Sequence, residues 1–204
     1  MTTAAGRSQQ ARSAKTQGAV LDATIRCLIE LGYAATTTNA IQQRAGCSRG
    51  AMTHQFASKH ALLIAAVQHL ADVRAQELAA TAAALPPGPD RTTSAIASMW
   101  ATFKGDLFYA ALELWNAART NPDLHKALYE AERKLGRQLF DLAAELFGDD
   151  VAARPTFPSA LDNLLALMRG SALTRILRGE FDDEQRVIAE WAAMFTASIT
   201  GNSL

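Results

Sequence analysis

The segment from Thr37 to Phe56, TTNAIQQRAGCSRGAMTHQF, holds the residues of this chain whose types and spacing could do chemistry. Two short stretches each follow a hydroxyl residue, Thr37 and Ser48, and Gly46 separates them, which is the pattern of two capped helices joined by a tight turn. A helix that starts at Ser48 leaves backbone N–H groups free for an anion such as phosphate. On that helix Arg49, Ala51, Thr53 and His54 are short or basic, so the backbone could approach a DNA major groove. Arg49 would then offer paired donors to guanine, and Ala51 and the Thr53 methyl could touch thymine. The same spacing also fits a plain corner of a helical bundle with one chance arginine.

Charge favours the first reading. The chain is neutral overall, with 20 Lys/Arg against 20 Asp/Glu. Residues 1–60 nevertheless hold seven Lys/Arg against two acids, a net +5, and the remainder is therefore −5. A basic first third on an acidic body suggests one surface for a polyanion and another for something else. Other chemistries find little support. Cys27 and Cys47 form no CxxC pair, have no histidine at ligand spacing and read as buried thiols, so neither a metal nor a cofactor is expected. No carboxylate pair, Ser/His/Asp grouping or phosphate loop suggests an enzyme. Histidines 60, 69 and 125 read as solvated or core-edge residues. The longest apolar run, Ala61 to Val67, is far short of the roughly 20 residues of a membrane span. With no apolar h-region after the first basic residues, the expectation is a cytoplasmic protein with no membrane partner.

The elements that position these residues are helices throughout. Apolar residues recur at three- and four-residue spacing, and no alternating β-branched run appears. The spacing predicts a first helix over about Thr16–Leu31, with Val20, Cys27, Leu28 and Leu31 on its buried stripe and Gly32 ending it. Short helices follow over Thr38–Ala45 and Arg49–Gln55, and Ser58 caps a long one reaching about Ala84. LPPGPD at 85–90 is a loop. Helices resume over about Thr92–Thr120, with a break near Gly105, and over Pro122–Phe147. Residues 148–158 read as a second loop, and helices over about Ser159–Arg178 and Asp182–Thr200 close the chain.

From about Ala14 to Arg74 the chain resembles the DNA-binding domain of the tetracycline-repressor (TetR) family. The resemblance rests on VLDATIRCLIELGY (20–33), Thr36 and Thr37, the I-x-x-x-A-G-x-S of Ile41 to Ser48, the G-A-M-x-H-x-F of Gly50 to Phe56, and the S-K-x-A-L of Ser58 to Leu62. It implies an all-α protein of about nine helices. A flexible arm (1–13) would precede a three-helix head (14–74, with the helix-turn-helix at 37–56), and a helical effector-binding and dimerisation domain (75–204) would follow. By position, Thr37, Thr38 and Lys59 would grip phosphates, with His54 a further contact, while Asn39, Arg49, Ala51 and Thr53 would face bases and Ser48 would cap. Thr53 stands where the family often has tyrosine, which shortens that contact, and Gln42 and Gln43 replace small or acidic residues.

Beyond about residue 85 the resemblance is in architecture only. Trp100, Phe103, Phe108 and Trp115 recur at helical spacing and, with Met168, are either core or the lining of an apolar cavity for a small effector. Glu113, set among apolar neighbours, either faces solvent or meets a polar effector group. Leu161 and Leu165 on one closing helix, with Ile188, Trp191 and Phe195 on the other, are expected to share their faces between the core and a two-fold homodimer interface. The resulting expectation is a ligand-responsive regulator, a repressor by family habit, that binds a pseudo-palindromic operator and is released by a largely apolar effector. The competing readings are a helical enzyme acting on a small apolar substrate and a non-specific nucleoid-type binder. The latter would want a larger basic surface.

Overall fold

The computed structural model describes residues 4–201, with side chains from residue 14 onward. Its helices are α1 (Ala4–Ala35), α2 (Thr38–Ala45), α3 (Arg49–Gln55), α4 (Lys59–Ala84), α5 (Arg91–Phe103), α6 (Asp106–Ala118), α7 (Pro122–Phe147), α8 (Asp149–Ala152), α9 (Phe157–Arg178) and α10 (Glu184–Thr200). No strand occurs among the described residues.

Five of the helix starts are set by side chains that accept the first unpaired N–H groups of a helix. Thr37 Oγ1 accepts from Ala40 N at 3.1 Å, Ser48 Oγ from Ala51 N at 3.2 Å and Ser58 Oγ from Ala61 N at 3.1 Å. Asn121 and Asp183 do the same for α7 and α10. Gly46 closes α2 in the left-handed region, at φ 62°, where a side chain would be strained.

Four features depart from the expectations. α1 starts at Ala4 rather than near Thr16, and the segment expected as a flexible arm is helical from there on. Its sequence, AAGRSQQARSAK, is rich in good helix formers. Gly32 interrupts the helix as expected (φ 74°, ψ 171°), but helical structure resumes across this kink as far as Ala35, and Leu31 is 48% exposed rather than buried. The expected loop at 148–158 holds the single turn of α8 and the start of α9, where Pro158 sits in the first turn, a position that needs no N–H. Ten helices result. Cys27 is buried as expected, but Cys47 is only half-buried.

The chain divides into two compact units that are not continuous in sequence. One comprises Met1–Ala71 with Asp106–Lys134, the other Asp72–Gly105 with Leu135–Leu204. The division falls within α4 and within α7. The first unit has one apolar core, in which Val20, Leu28, Ile41, Met52, Leu62 and Leu63 meet Ala110, Leu114, Leu124 and Leu128. Residues of α6 and α7 therefore complete the core of the three-helix head. The second unit is held by aromatic contacts. Trp100 meets Trp191 edge-on at 5.1 Å, and Phe147 stacks on Phe195 at 4.5 Å.

Candidate nucleic-acid interface

Helices α2 and α3 each bury one anchor, Ile41 and Met52, and turn their remaining faces outward. Thr37, Asn39, Ser48, Arg49, Thr53 and His54 are exposed, while Thr38 and Ala51 are half-buried. Most of the candidate reading residues thus remain uncovered by the chain's own packing. Because the Thr37 and Ser48 oxygens accept the capping bonds, their O–H groups remain donors for an external acceptor. The Thr53 hydroxyl donates back to the Arg49 carbonyl at 3.0 Å, which ties its polar end to the helix. Arg44, one of the basic residues of the first third, is held by Glu30 across the surface. The Arg49 guanidinium has no such ion pair among the described residues.

Lys59 is differently placed from its expected role. Its ammonium donates to the Tyr33 carbonyl at 3.3 Å and lies 4.5 Å from the centre of the Tyr33 ring. Burial pushes its pKa below the ordinary lysine value. The charge is partly spoken for inside the head.

Tyr33 lies at the centre of a polar network that the sequence reading missed. Its hydroxyl is 3.1 Å from His60 Nε2, which also lies 3.4 Å from Asn121 Nδ2. Its backbone N–H donates to Glu113 Oε2 at 2.7 Å. Glu113 is therefore neither a plain surface carboxylate nor a free group awaiting an effector, because it satisfies the N–H next to the Gly32 break. A Cβ at Gly32 would stand 3.2 Å from the same oxygen, so the close approach of α6 favours glycine there as well as φ does. His60, expected as a solvated or core-edge residue, is half-buried within this network.

The remaining effector candidates divide between the units. Phe108 and Trp115 belong to the first, where their rings meet edge-on at 6.4 Å and Trp115 Nε1 donates to Glu132 at 2.9 Å. Trp100, Phe103 and Met168 belong to the second and are all buried. An open groove of about 660 Å³ in the second unit is lined by Arg91, Thr92, Glu145, Asp149 and their neighbours, none of which was a candidate. There Arg91 donates to the carbonyls of Leu85, Glu145 and Leu146, tying the ends of α4 and α7 together.

The interface candidates need correcting. Leu161, Leu165, Ile188, Trp191 and Phe195 are 1%, 7%, 8%, 5% and 4% exposed within the single chain. They are core residues and have little area left to give a second copy. Helical periodicity finds an apolar face but does not say what covers it. The exposed apolar side chains of these two helices are Leu173, Ile176, Leu177 and Met194, with Leu177 92% exposed.

An all-α fold with two short capped helices joined at Gly46 and an exposed arginine on the second is an arrangement that fits a DNA-binding helix-turn-helix. Residues 20–66 match the profile of the bacterial regulatory proteins of the tetR family. An uncharacterized HTH-type transcriptional regulator of Mycobacterium tuberculosis is 25% identical over 193 residues, covering 95% of this chain and 99% of that protein. The HTH-type regulator CymR of Pseudomonas putida is 32% identical over 122 residues, 60% of each chain. Among solved structures, the multidrug binding protein EbrR complexed with imidazole has the same fold, with a TM-score of 0.64 at 20% identity over 90% of this chain and 94% of that one. Residues 20–66 thus carry the DNA-binding domain of the TetR family, and the relatives that the chain resembles are named as transcriptional regulators.

Proposed function

We propose that this regulator is a repressor that binds a pseudo-palindromic operator as a homodimer and is released by a small, largely apolar effector. The observation that carries the reading is the exposure of Asn39 on α2 and of Arg49, Thr53 and His54 on α3, two helices anchored by the buried Ile41 and Met52. Arg49, Ala51, Thr53 and Asn39 face bases. Thr37, Thr38, His54 and, with the part of its charge left free, Lys59 meet phosphates. The second copy packs against Leu173, Ile176, Leu177 and Met194 of α9 and α10, whose exposed apolar area a two-fold partner would cover. The effector is taken up by the aromatic body around Trp100, Phe103 and Met168. The name of EbrR, a multidrug binding protein of the same fold, supports a body that receives small molecules.

The test is selection of bound fragments from a random DNA library, followed by footprinting. The expected result is two protected half-sites about 34–36 Å apart, one helical turn. A single half-site footprint, or equal affinity for every duplex, overturns the reading.

A further inference from the structure

In the second unit, Arg175 of α9 is buried to 9% exposure. Its guanidinium lies 5.5 Å from the Trp100 ring, and two of its nitrogens, Nε and Nη1, are shielded from solvent with no hydrogen-bond partner among the described residues. An arginine carries five N–H donors and keeps its charge, so leaving some of them dry and unmet is costly. The partner it does have, through Nη2, is the Glu180 carboxylate, which is 73% exposed and comes from the turn between α9 and α10.

The residue after Glu180 completes the pattern. The Phe181 ring stacks on Trp100 at 5.6 Å and meets Trp191 edge-on at 6.2 Å. The turn begins at Gly179, whose φ of 82° is a conformation open to glycine at little cost. A carboxylate on the guanidinium and an aromatic ring on the two tryptophans thus come from adjacent residues of one exposed turn. Nearby, Glu184 is engaged by Lys104 and by Trp100 Nε1, at 2.7 and 3.1 Å, which leaves Arg175 as the under-used cation.

We infer that Arg175, Trp100 and Trp191 form a receptor for a small aromatic carboxylic acid, and that the chain's own Glu180 and Phe181 occupy it in the free protein. The inference deepens the effector reading, on which it rests, by naming the ligand class. An incoming acid displaces the Glu180 carboxylate from the guanidinium, gains the donors that Glu180 leaves unmet, and puts its ring where Phe181 lies. Displacing the turn moves the segment that leads directly into α10.

The probe is benzoate, with benzamide as its uncharged counterpart, titrated into the full chain while tryptophan fluorescence and melting temperature are recorded. Benzoate should bind saturably and raise the melting temperature, and benzamide should do neither. Removing the internal competitor in Glu180→Ala should tighten benzoate binding by about fivefold or more, because the receptor is then open in every molecule. Arg175→Lys keeps the charge but loses the planar fork and should bind at least about tenfold more weakly. Arg175→Met should not bind at all. Equal benzoate binding in the wild type and Arg175→Lys overturns the inference, as does its absence from both the wild type and Glu180→Ala. If a neutral compound releases operator DNA while benzoate never binds, the carboxylate site falls and the effector reading stands. If benzoate binds as described but no duplex is ever selected, the reverse holds.

Discussion

In the unit that carries α2 and α3, the polar groups set inside the fold hold backbone in place. Glu113 takes the Tyr33 N–H, Thr36 donates to the Gly32 carbonyl at 2.7 Å, and Thr24 donates to the Val20 carbonyl at 2.7 Å. In the other unit Arg175 is buried with donors to spare beside a cluster of aromatic rings. A satisfied network fixes one geometry, which suits a surface that must match a DNA groove. An unsatisfied buried cation is a standing cost that a ligand can remove. These interior polar groups thus differ in what they do: Glu113, Thr36 and Thr24 are met by the chain's own backbone, whereas Arg175 keeps donors that the described residues do not meet.

The largest effect expected from breaking this comparison is in the aromatic unit. Trp191→Ala removes a ring that meets both Trp100 and Phe181, and it should cost about 3–5 kcal/mol of folding stability by urea denaturation. A loss below about 1 kcal/mol together with weakened dimerisation would return Trp191 to the interface. Glu113→Ala orphans the Tyr33 N–H and should cost about 1–3 kcal/mol. Glu113→Gln keeps an acceptor and should lose less. Equal losses from the two would show that the carboxylate's charge, rather than its hydrogen bond, matters there. Thr37→Ala removes the cap of α2 and should cost about 1 kcal/mol, while Thr37→Ser should restore most of it.

A smaller, pH-dependent effect sharpens the contrast. Burial pushes the Glu184 carboxyl up, but its bonds to Lys104 and Trp100 outweigh that and hold it below its ordinary value of 4.5. A carboxyl whose folded pKa is depressed adds stability that is present above the unfolded pKa and is lost as the pH falls through the folded one. The acid limb of the stability curve, from about pH 4.5 downward, should therefore flatten in Glu184→Gln. An unchanged slope would mean that Lys104 contributes no charge pairing in the native state.

The head was legible in the sequence because its signals are local. Thr37, Gly46, Ser48 and Ser58 act within three or four residues of themselves, and the boundaries of α2, α3 and α4 follow from them. What escaped depends on contacts distant in sequence. The partner of Glu113 lies 80 residues away, as does the lysine that holds Glu184, and no periodicity announces either. The faces of α9 and α10 were read correctly as apolar, but whether Trp191 met its own chain or a second copy was settled only by Trp100 lying beside it. Arg175 gave no sign of burial, because a basic residue in the last turn of a helix is ordinarily a solvated complement to the helix dipole.

The most direct test of the central claim, that the exposed face of α3 reads DNA sequence, is the affinity of Arg49→Ala for the selected operator and for every single-base variant of one half-site. The account predicts that discrimination collapses at one position per half-site by about 1–3 kcal/mol, while preferences at the other positions survive. A uniform loss across all duplexes would show that Arg49 touches only phosphate. An unchanged profile would contradict the assignment of α3 as the reading helix.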